Sequence, residues 1–514
     1  MKLNRTEYRN KVLGCWLGKN VGGVVGAPYE WVRQVNDISF YTHTETTIPD
    51  GKPVANDDLD IQLLWLVALE EIGLNIKADR LAEYWLTYVT PHWAEYGIAK
   101  INMRQGLMPP ISGTLNNEFK HSCGSYIRSE IWACIAPGAP ELAARYAYED
   151  AILDHGNGEG VYAEVFMAAT ESAAFVCGTL DEAVQIGLTY IPKDCGVAQA
   201  VHTTYECFKK KMDWKAARLE ILKKHRGKAM PWGCPPSCVE EGLDNGQRGY
   251  DVPSNIALTL VGLLWGGDDF GQVQCICVNC GEDTDCTAAT AGALWGILYG
   301  ADAIPQKWLD PIGRSISTVC LNLGELGWFG NQLPRDVDNL TDRTLAVAER
   351  MQLQYPQAPT RLTDEKTETA DTKPLARTDE GRAIWGGFTG PRFEFDLLHV
   401  HVDYGQRSVL MEAQSPKTVK LTFKNISKFQ HNLNLHWYLP EGWSVTPGPD
   451  AYYMLLNEWM TDKLPTLEFT ITAEKFTGAS QRAVLEITIP GRSTIMLVPF
   501  IFLNGGAYPI ASSQ

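Results

Sequence analysis

At 514 residues the chain is too long for one hydrophobic core and predicts two or three domains. Its 45% apolar and 21% charged residues are globular values, and a net charge of −16 argues against non-specific binding to nucleic acid or to anionic membrane. The N-terminus shows no apolar signal core, no stretch is long and apolar enough to span a bilayer, and the 13 cysteines are scattered, so a reducing cytoplasm is the expected compartment.

In chain order, residues 8–25 read as a helix carrying Gly14, Gly18, Gly22 and Gly26 at a spacing of four. That spacing puts the glycines on one face, where another backbone can come close. Pro28 ends this helix, and Glu30 and Trp31 follow in the turn. Asn56-Asp57-Asp58 runs into an apolar helix over 59–72. Helices over 140–152 and 162–176 flank a glycine-rich loop that holds His155. A helix over 256–265 is followed by Asp283-Thr284-Asp285, which opens another over 287–298 and repeats the glycine spacing at Gly292, Gly296 and Gly300. The glycine faces predict tight helix–helix packing in the core. A last helix is expected over 339–352.

The pattern then changes. Residues 354–390 are polar and read as a linker or long loop. From 391 the apolar period becomes two, as at Val419, Leu421 and Phe423, then Leu433, Leu435 and Trp437. Seven or so strands separated by Pro/Gly turns fit a β-sandwich of immunoglobulin type. The expected division is an all-α domain over 1–353, a linker over 354–390 and an all-β domain over 391–514.

Two doubled-carboxylate clusters, each at a helix start, carry the chemistry. One carboxylate suffices to cap a helix; two pairs brought together make an oxygen-rich pocket for one or two hard divalent cations. Glu30 is a candidate general acid or base whose pKa burial would raise. His155 could line a pocket or serve an ordinary interhelical turn. The Cys234/Cys238 and Cys275/Cys277/Cys280 groups lack paired zinc-finger spacing and are expected as buried free thiols. His399 and His401 share a strand face, more in keeping with a satisfied or solvent-facing pair than with a metal site.

Three stretches resemble the ADP-ribosylglycohydrolase family, of dinitrogenase reductase-activating glycohydrolase type: Gly14 through Glu30, Asn56-Asp57-Asp58-Leu59, and Gly281-Glu282-Asp283-Thr284-Asp285-Cys286. The resemblance implies an all-α hydrolase domain with two Mg²⁺ ions, Mn²⁺ or another divalent ion being an alternative. It implies Asn56, Asp57, Asp58, Asp283, Asp285 and Cys286 as metal ligands. Glu30, Asp58 and Asp283 become the catalytic candidates, and Trp31, His155 and Glu282 the substrate-binding ones. The implied reaction is hydrolysis at the anomeric carbon of a ribose, with the ions holding sugar hydroxyls and positioning water.

Four positions depart from the family motifs. Asn56 and Cys286 stand where threonines are usual, Gly23 where an acid is, and Glu282 where a glycine is. A thiol binds Mg²⁺ poorly and softer ions better. These departures, with the added sandwich, lead us to expect a small glycoside in preference to an ADP-ribosylated protein or small molecule. A non-catalytic sugar- or nucleotide-binding protein is the alternative class. The sandwich is a candidate dimerisation or docking module.

Overall fold

The structure is a computed structural model. It describes all residues except 231–242, 244–248, 324–327, 370, 380–388, 406–407, 462 and 506–514, so Cys234 and Cys238 lie outside the described residues. The chain divides into two compact units: Met1–Ile101 with Ser112–Ile384, and Asn102–Ile111 with Trp385–Gln514. The first is helical and the second is built of sheets, the α-then-β organisation that the change of period predicts.

In the helical unit, Arg5–Gly26 starts under an Asn4 cap whose side-chain oxygen accepts from the Thr6 and Glu7 amides. This helix lies antiparallel to Thr284–Tyr299, and the two glycine stripes face each other. A Cβ placed on Gly18 would sit 2.1 Å from the Gly292 carbonyl oxygen, and one on Gly22 would sit 2.2 Å from that of Ala288. The approach is reciprocal: a Cβ on Gly296 would sit 2.1 Å from the Gly14 oxygen. The spacing therefore serves backbone contact, and it brings the end of the first helix onto the start of the second. Gly26 abuts Thr284 and Asp285.

Asp57–Ile72 is buried nearly all round, as its apolar character on nearly every face predicts, and Asn56 caps it by accepting from the Asp58 amide at 2.8 Å. Helices Ala78–Tyr88, Ala94–Arg104 as far as Ile101, Leu180–Leu188, Gly196–Lys209, Trp214–His225 and Phe270–Asn279 complete most of the unit beyond those expected. Phe270–Asn279 carries Cys275 and Cys277, and Cys280 follows it; all three are buried and free, as is every described cysteine. Among the described residues no helix is long and apolar enough to cross a membrane.

The polar stretch expected as a linker is in part built into this unit. Arg361–Thr363 pairs in parallel with Lys2–Asn4, Leu375 is buried, and its carbonyl accepts from Tyr190 Oη at 2.7 Å. Polar composition here supplies hydrogen bonds to the helical surface, which a composition-based reading takes for a solvated tether.

The second unit holds two five-stranded sheets. One contains Arg392–Glu394, Leu398–Asp403, Lys417–Asn425, Thr466–Ala473 and Trp443–Thr446; the other contains Leu410–Met411, Ile495–Asn504, Ser480–Thr488, His431–Tyr438 and Asp450–Leu455. All neighbouring strands are antiparallel except the short pair Leu410–Met411 with Leu503–Asn504. Alternate residues are buried, and the sheets meet through aromatic contacts: Trp437 on Phe469 with centroids 5.4 Å apart, and Trp443 on Phe502 at 5.6 Å.

Candidate metal centre

Each acidic cluster sits where a helix begins, but capping does not consume its carboxylates. Asn56 caps the Asp57–Ile72 helix, which leaves Asp57 and Asp58 free of that task. Asp283 occupies the N-cap position of Thr284–Tyr299, and its side chain makes no capping bond. Its Oδ1 is buried without a hydrogen-bond partner, and neither oxygen of the buried Asp58 accepts a hydrogen bond. The Asp283 carboxylate in that condition calls for a cation or a proton, whereas Asp58 already faces the Lys19 ammonium.

The glycine-packed helix pair joins the clusters. Asn56 Nδ2 donates to Asp285 Oδ2 at 3.1 Å, and Asp285 Oδ1 accepts from the Cys286 amide at 2.9 Å. Asp283, Asp285 and Cys286 present ligand atoms within 4.8 Å of one another. Asp57 accepts from Tyr96 Oη at 3.1 Å. The Lys19 ammonium lies 3.3 Å from Asp58 and 2.7 Å from Glu130, fully enclosed, and Gln62 donates to the other oxygen of Glu130. Asn255 holds the second turn by accepting from the Asp283 amide at 3.3 Å.

Crowded acids raise one another. Burial first, then Asp285 and Asp57, push Glu30 up to about 9. Burial and Asp285 push Asp57 up to about 6. Asp283 and Asp58 are also raised well above the usual carboxylate range, mainly by burial; Lys19 opposes the rise at Asp58. A divalent ion would relieve this repulsion. Oxygen-rich ligands with unpartnered, buried atoms fit such an ion.

Glu30 reaches the cluster because its loop is fastened to the second acidic turn. Helix Arg5–Gly26 gives way to a tight turn over Ala27–Tyr29 that includes Pro28. The Trp31 amide then donates to the Glu282 carbonyl at 3.2 Å, and the Asn36 amide to the Asn279 carbonyl at 3.0 Å. Trp31, with φ +70°, is half exposed beside Glu30 and packs edge-on to Tyr250 at 4.7 Å.

Two expected substrate-binding residues are corrected. His155 is fully enclosed: Nδ1 lies 2.8 Å from Asp154 and Nε2 lies 3.2 Å from Ser122 Oγ. It belongs to a buried ion network in which Arg128 bridges Asp150 and Asp154, so its chemistry is spent on the core. Glu282 is also fully enclosed, with its carboxylate 3.1 Å from Arg226. Asn56, expected as a ligand, uses its amide to tie Asp58 to Asp285.

Glu282 adopts φ +69°, which explains why glycine is usual there. A Glu282→Gly change relieves strain of about 1–2 kcal/mol but takes away the carboxylate beside buried Arg226, a loss of about 3–5 kcal/mol. The expected net result is a less stable protein, read as a lower Tm.

Sequence reasoning did not single out Lys19, Tyr96, Glu130 or Asn255. Lys19 left one signal, a lone charge inside the glycine-striped apolar run. Tyr96, Glu130 and Asn255 left none, because they come from segments remote in sequence.

The fold and site define a helical scaffold with an acidic centre suited to divalent metal. The sequence pattern of the ADP-ribosylglycohydrolase family matches residues 4–352. The chain belongs to that family, whose members are hydrolases. It is 41% identical over 49 residues to the ADP-ribosylarginine hydrolase Tri1 of Serratia proteamaculans (strain 568), and 35% identical over 52 residues to Tri1 of Pseudomonas putida (strain GB-1). Each stretch is 10% of this chain and spans only 13% and 14% of those relatives, respectively. A solved ADP-ribosylglycohydrolase-related protein complex is 21% identical, with 67% of this chain and 99% of that chain covered and a TM-score of 0.41.

Proposed function

We propose that the chain is a divalent-metal-dependent hydrolase of an N- or O-glycosidic bond at the anomeric carbon of a ribose-like sugar. Family membership supports ADP-ribose conjugates as the substrate class. The carrying observation is the convergence of Asp57, Asp58, Asp283 and Asp285 with Glu30, with buried carboxylate oxygens that accept no hydrogen bond. We assign this activity to residues 1–353 and treat the sandwich of 391–514 as an accessory module.

Asp57, Asp58, Asp283, Asp285 and Cys286 would hold one or two ions, which when bound supply Lewis-acid polarisation of sugar hydroxyls and an anchored water. Glu30, the half-buried carboxyl at the solvent edge whose pKa burial and neighbouring acids raise, is placed to donate a proton to the departing nitrogen or oxygen. The bond from the anomeric carbon to the leaving atom breaks, a water oxygen bonds to that carbon and gives up a proton that restores the Glu30 carboxyl, and the carboxylates offset positive charge developing on the sugar. Trp31 offers a ring face at the rim.

The four motif departures, Gly23, Asn56, Glu282 and Cys286, favour a simpler ribose-like glycoside as the second reading. A panel of ADP-ribosylated peptides and aryl glycosides, with products identified by mass spectrometry, separates the two. Free ADP-ribose as the sole product supports the first reading and excludes the second. Free sugar from the aryl glycosides alone does the reverse, and turnover of neither overturns both.

A further inference from the structure

We propose that the ion at Asp283, Asp285 and Cys286 is a thiolate-binding divalent cation of the Zn²⁺ or Co²⁺ class, bound through Cys286 Sγ. The proposal deepens the metal-dependent reading of the same centre and rests on it.

The second acidic turn leaves few side-chain donors for a metal. The Thr284 hydroxyl donates to the Gly26 carbonyl at 2.8 Å, and the Thr287 hydroxyl to the Thr284 carbonyl at 3.3 Å. Both threonines are fully enclosed and directed at the backbone. Asn56 spends its amide on Asp58 and Asp285. At the two places where the motif carries a hydroxyl, this chain therefore offers an engaged amide and a thiol. The remaining side-chain donors are the two carboxylates and Cys286 Sγ, which form one group of potential ligands. Asp283 supplies one carboxylate oxygen to that group, and its Oδ1 is enclosed with no hydrogen-bond partner, so the turn holds an unsatisfied carboxylate oxygen on a residue grouped with the thiol.

One sulfur and two carboxylates suit a borderline-soft ion. Mg²⁺ demands near-octahedral oxygen coordination and binds sulfur poorly, whereas Zn²⁺ and Co²⁺ accept mixed sulfur and oxygen sets at lower coordination number. On binding, the Sγ–H bond is lost, the metal–sulfur bond forms and the proton leaves to solvent. Cys123 is the neighbouring thiol; it donates to the Tyr250 carbonyl at 3.2 Å and also contacts Asp283, so it is the thiol that the test must separate from Cys286.

Cobalt is the probe, because thiolate coordination gives an ultraviolet charge-transfer band independent of any substrate. The full chain, stripped of metal, is titrated with Co²⁺ and then challenged with Mg²⁺. The expected result is a saturable band at one site, lost in Cys286→Ser, kept in Cys123→Ser and not displaced by a 100-fold excess of Mg²⁺. Cys286→Thr should bind Co²⁺ about 10- to 100-fold more weakly and gain in Mg²⁺ affinity, since one ligand changes from soft to hard. Circular dichroism confirms that each variant is folded. Co²⁺ binding by calorimetry without the band overturns the thiolate assignment and leaves the metal-dependent reading standing. Binding of neither ion overturns both.

Discussion

Asp285→Ala is expected to lower turnover by about 10³-fold or more, some 4 kcal/mol of transition-state stabilisation, while leaving the helical unit folded. The residue has three connections. Its Oδ2 accepts from Asn56, its Oδ1 accepts from the Cys286 amide, and it belongs to the ligand group with Asp283 and Cys286. Removing it cuts the link between the two acidic clusters and deletes a proposed ligand. The stability effect in metal-free protein has the opposite sign. Asp285 is the leading like-charge neighbour of Glu30, Asp57 and Asp283, so its removal relieves repulsion in a buried site. The metal-free variant should melt at the same temperature as the parent or higher, and the rise in Tm that a divalent ion gives the parent should disappear. Calorimetry with and without metal, beside an assay on the competent substrate, reads both. A variant that keeps turnover, or keeps the metal-induced rise, overturns the ligand assignment.

Sequence alone revealed the parts of this centre that are spelled locally. Doubled acids beside helix starts exceeded what capping needs, and the structure shows Asn56 doing the capping at the first cluster while Asp283 leaves its side chain unspent. The glycine stripes were legible as a demand for close packing, because only backbone contact compensates for the poor helix propensity of glycine. That the stripes face each other was not, since either could have met any apolar helix. His155 misled because a histidine among glycines and acids looks the same in a pocket and in a core. The network that encloses it is drawn from Arg128 and Asp150, which lie on other elements, and from its neighbour Asp154. Lys19 was missed for a related reason: its partners Asp58 and Glu130 lie on other elements. In the sheets, strands such as Lys417–Asn425 and His431–Tyr438 announced themselves by strict alternation, with Val419, Leu421, Phe423, Leu433, Leu435 and Trp437 buried. Asp450–Leu455 did not, because Tyr452 and Met454 are exposed apolar residues that blur its period.

Gly22→Ala is expected to destabilise the helical unit by about 3 kcal/mol, and Gly22→Leu to prevent its folding. In an ordinary exposed helix, replacing glycine by alanine gains about 0.5–1 kcal/mol through backbone entropy. Here contact reverses the sign. The added carbon would lie 2.2 Å from the Ala288 oxygen and 2.3 Å from its carbonyl carbon, both backbone atoms that cannot swing aside. The helices must separate, and the Gly18–Gly292 and Gly14–Gly296 approaches open with them. The loss is a large share of the roughly 5–15 kcal/mol that holds a domain folded. Separation also draws Gly26 away from Asp285, so metal affinity should fall in any Gly22→Ala protein that still folds. Gly178→Ala is the control, since nothing lies within 4 Å of its added carbon. Urea unfolding of the two variants decides the matter. A Gly22→Ala protein within about 0.5 kcal/mol of the Gly178→Ala protein would mean that the stripe is not held at backbone contact, and that the acidic clusters are brought together by something other than this helix pair.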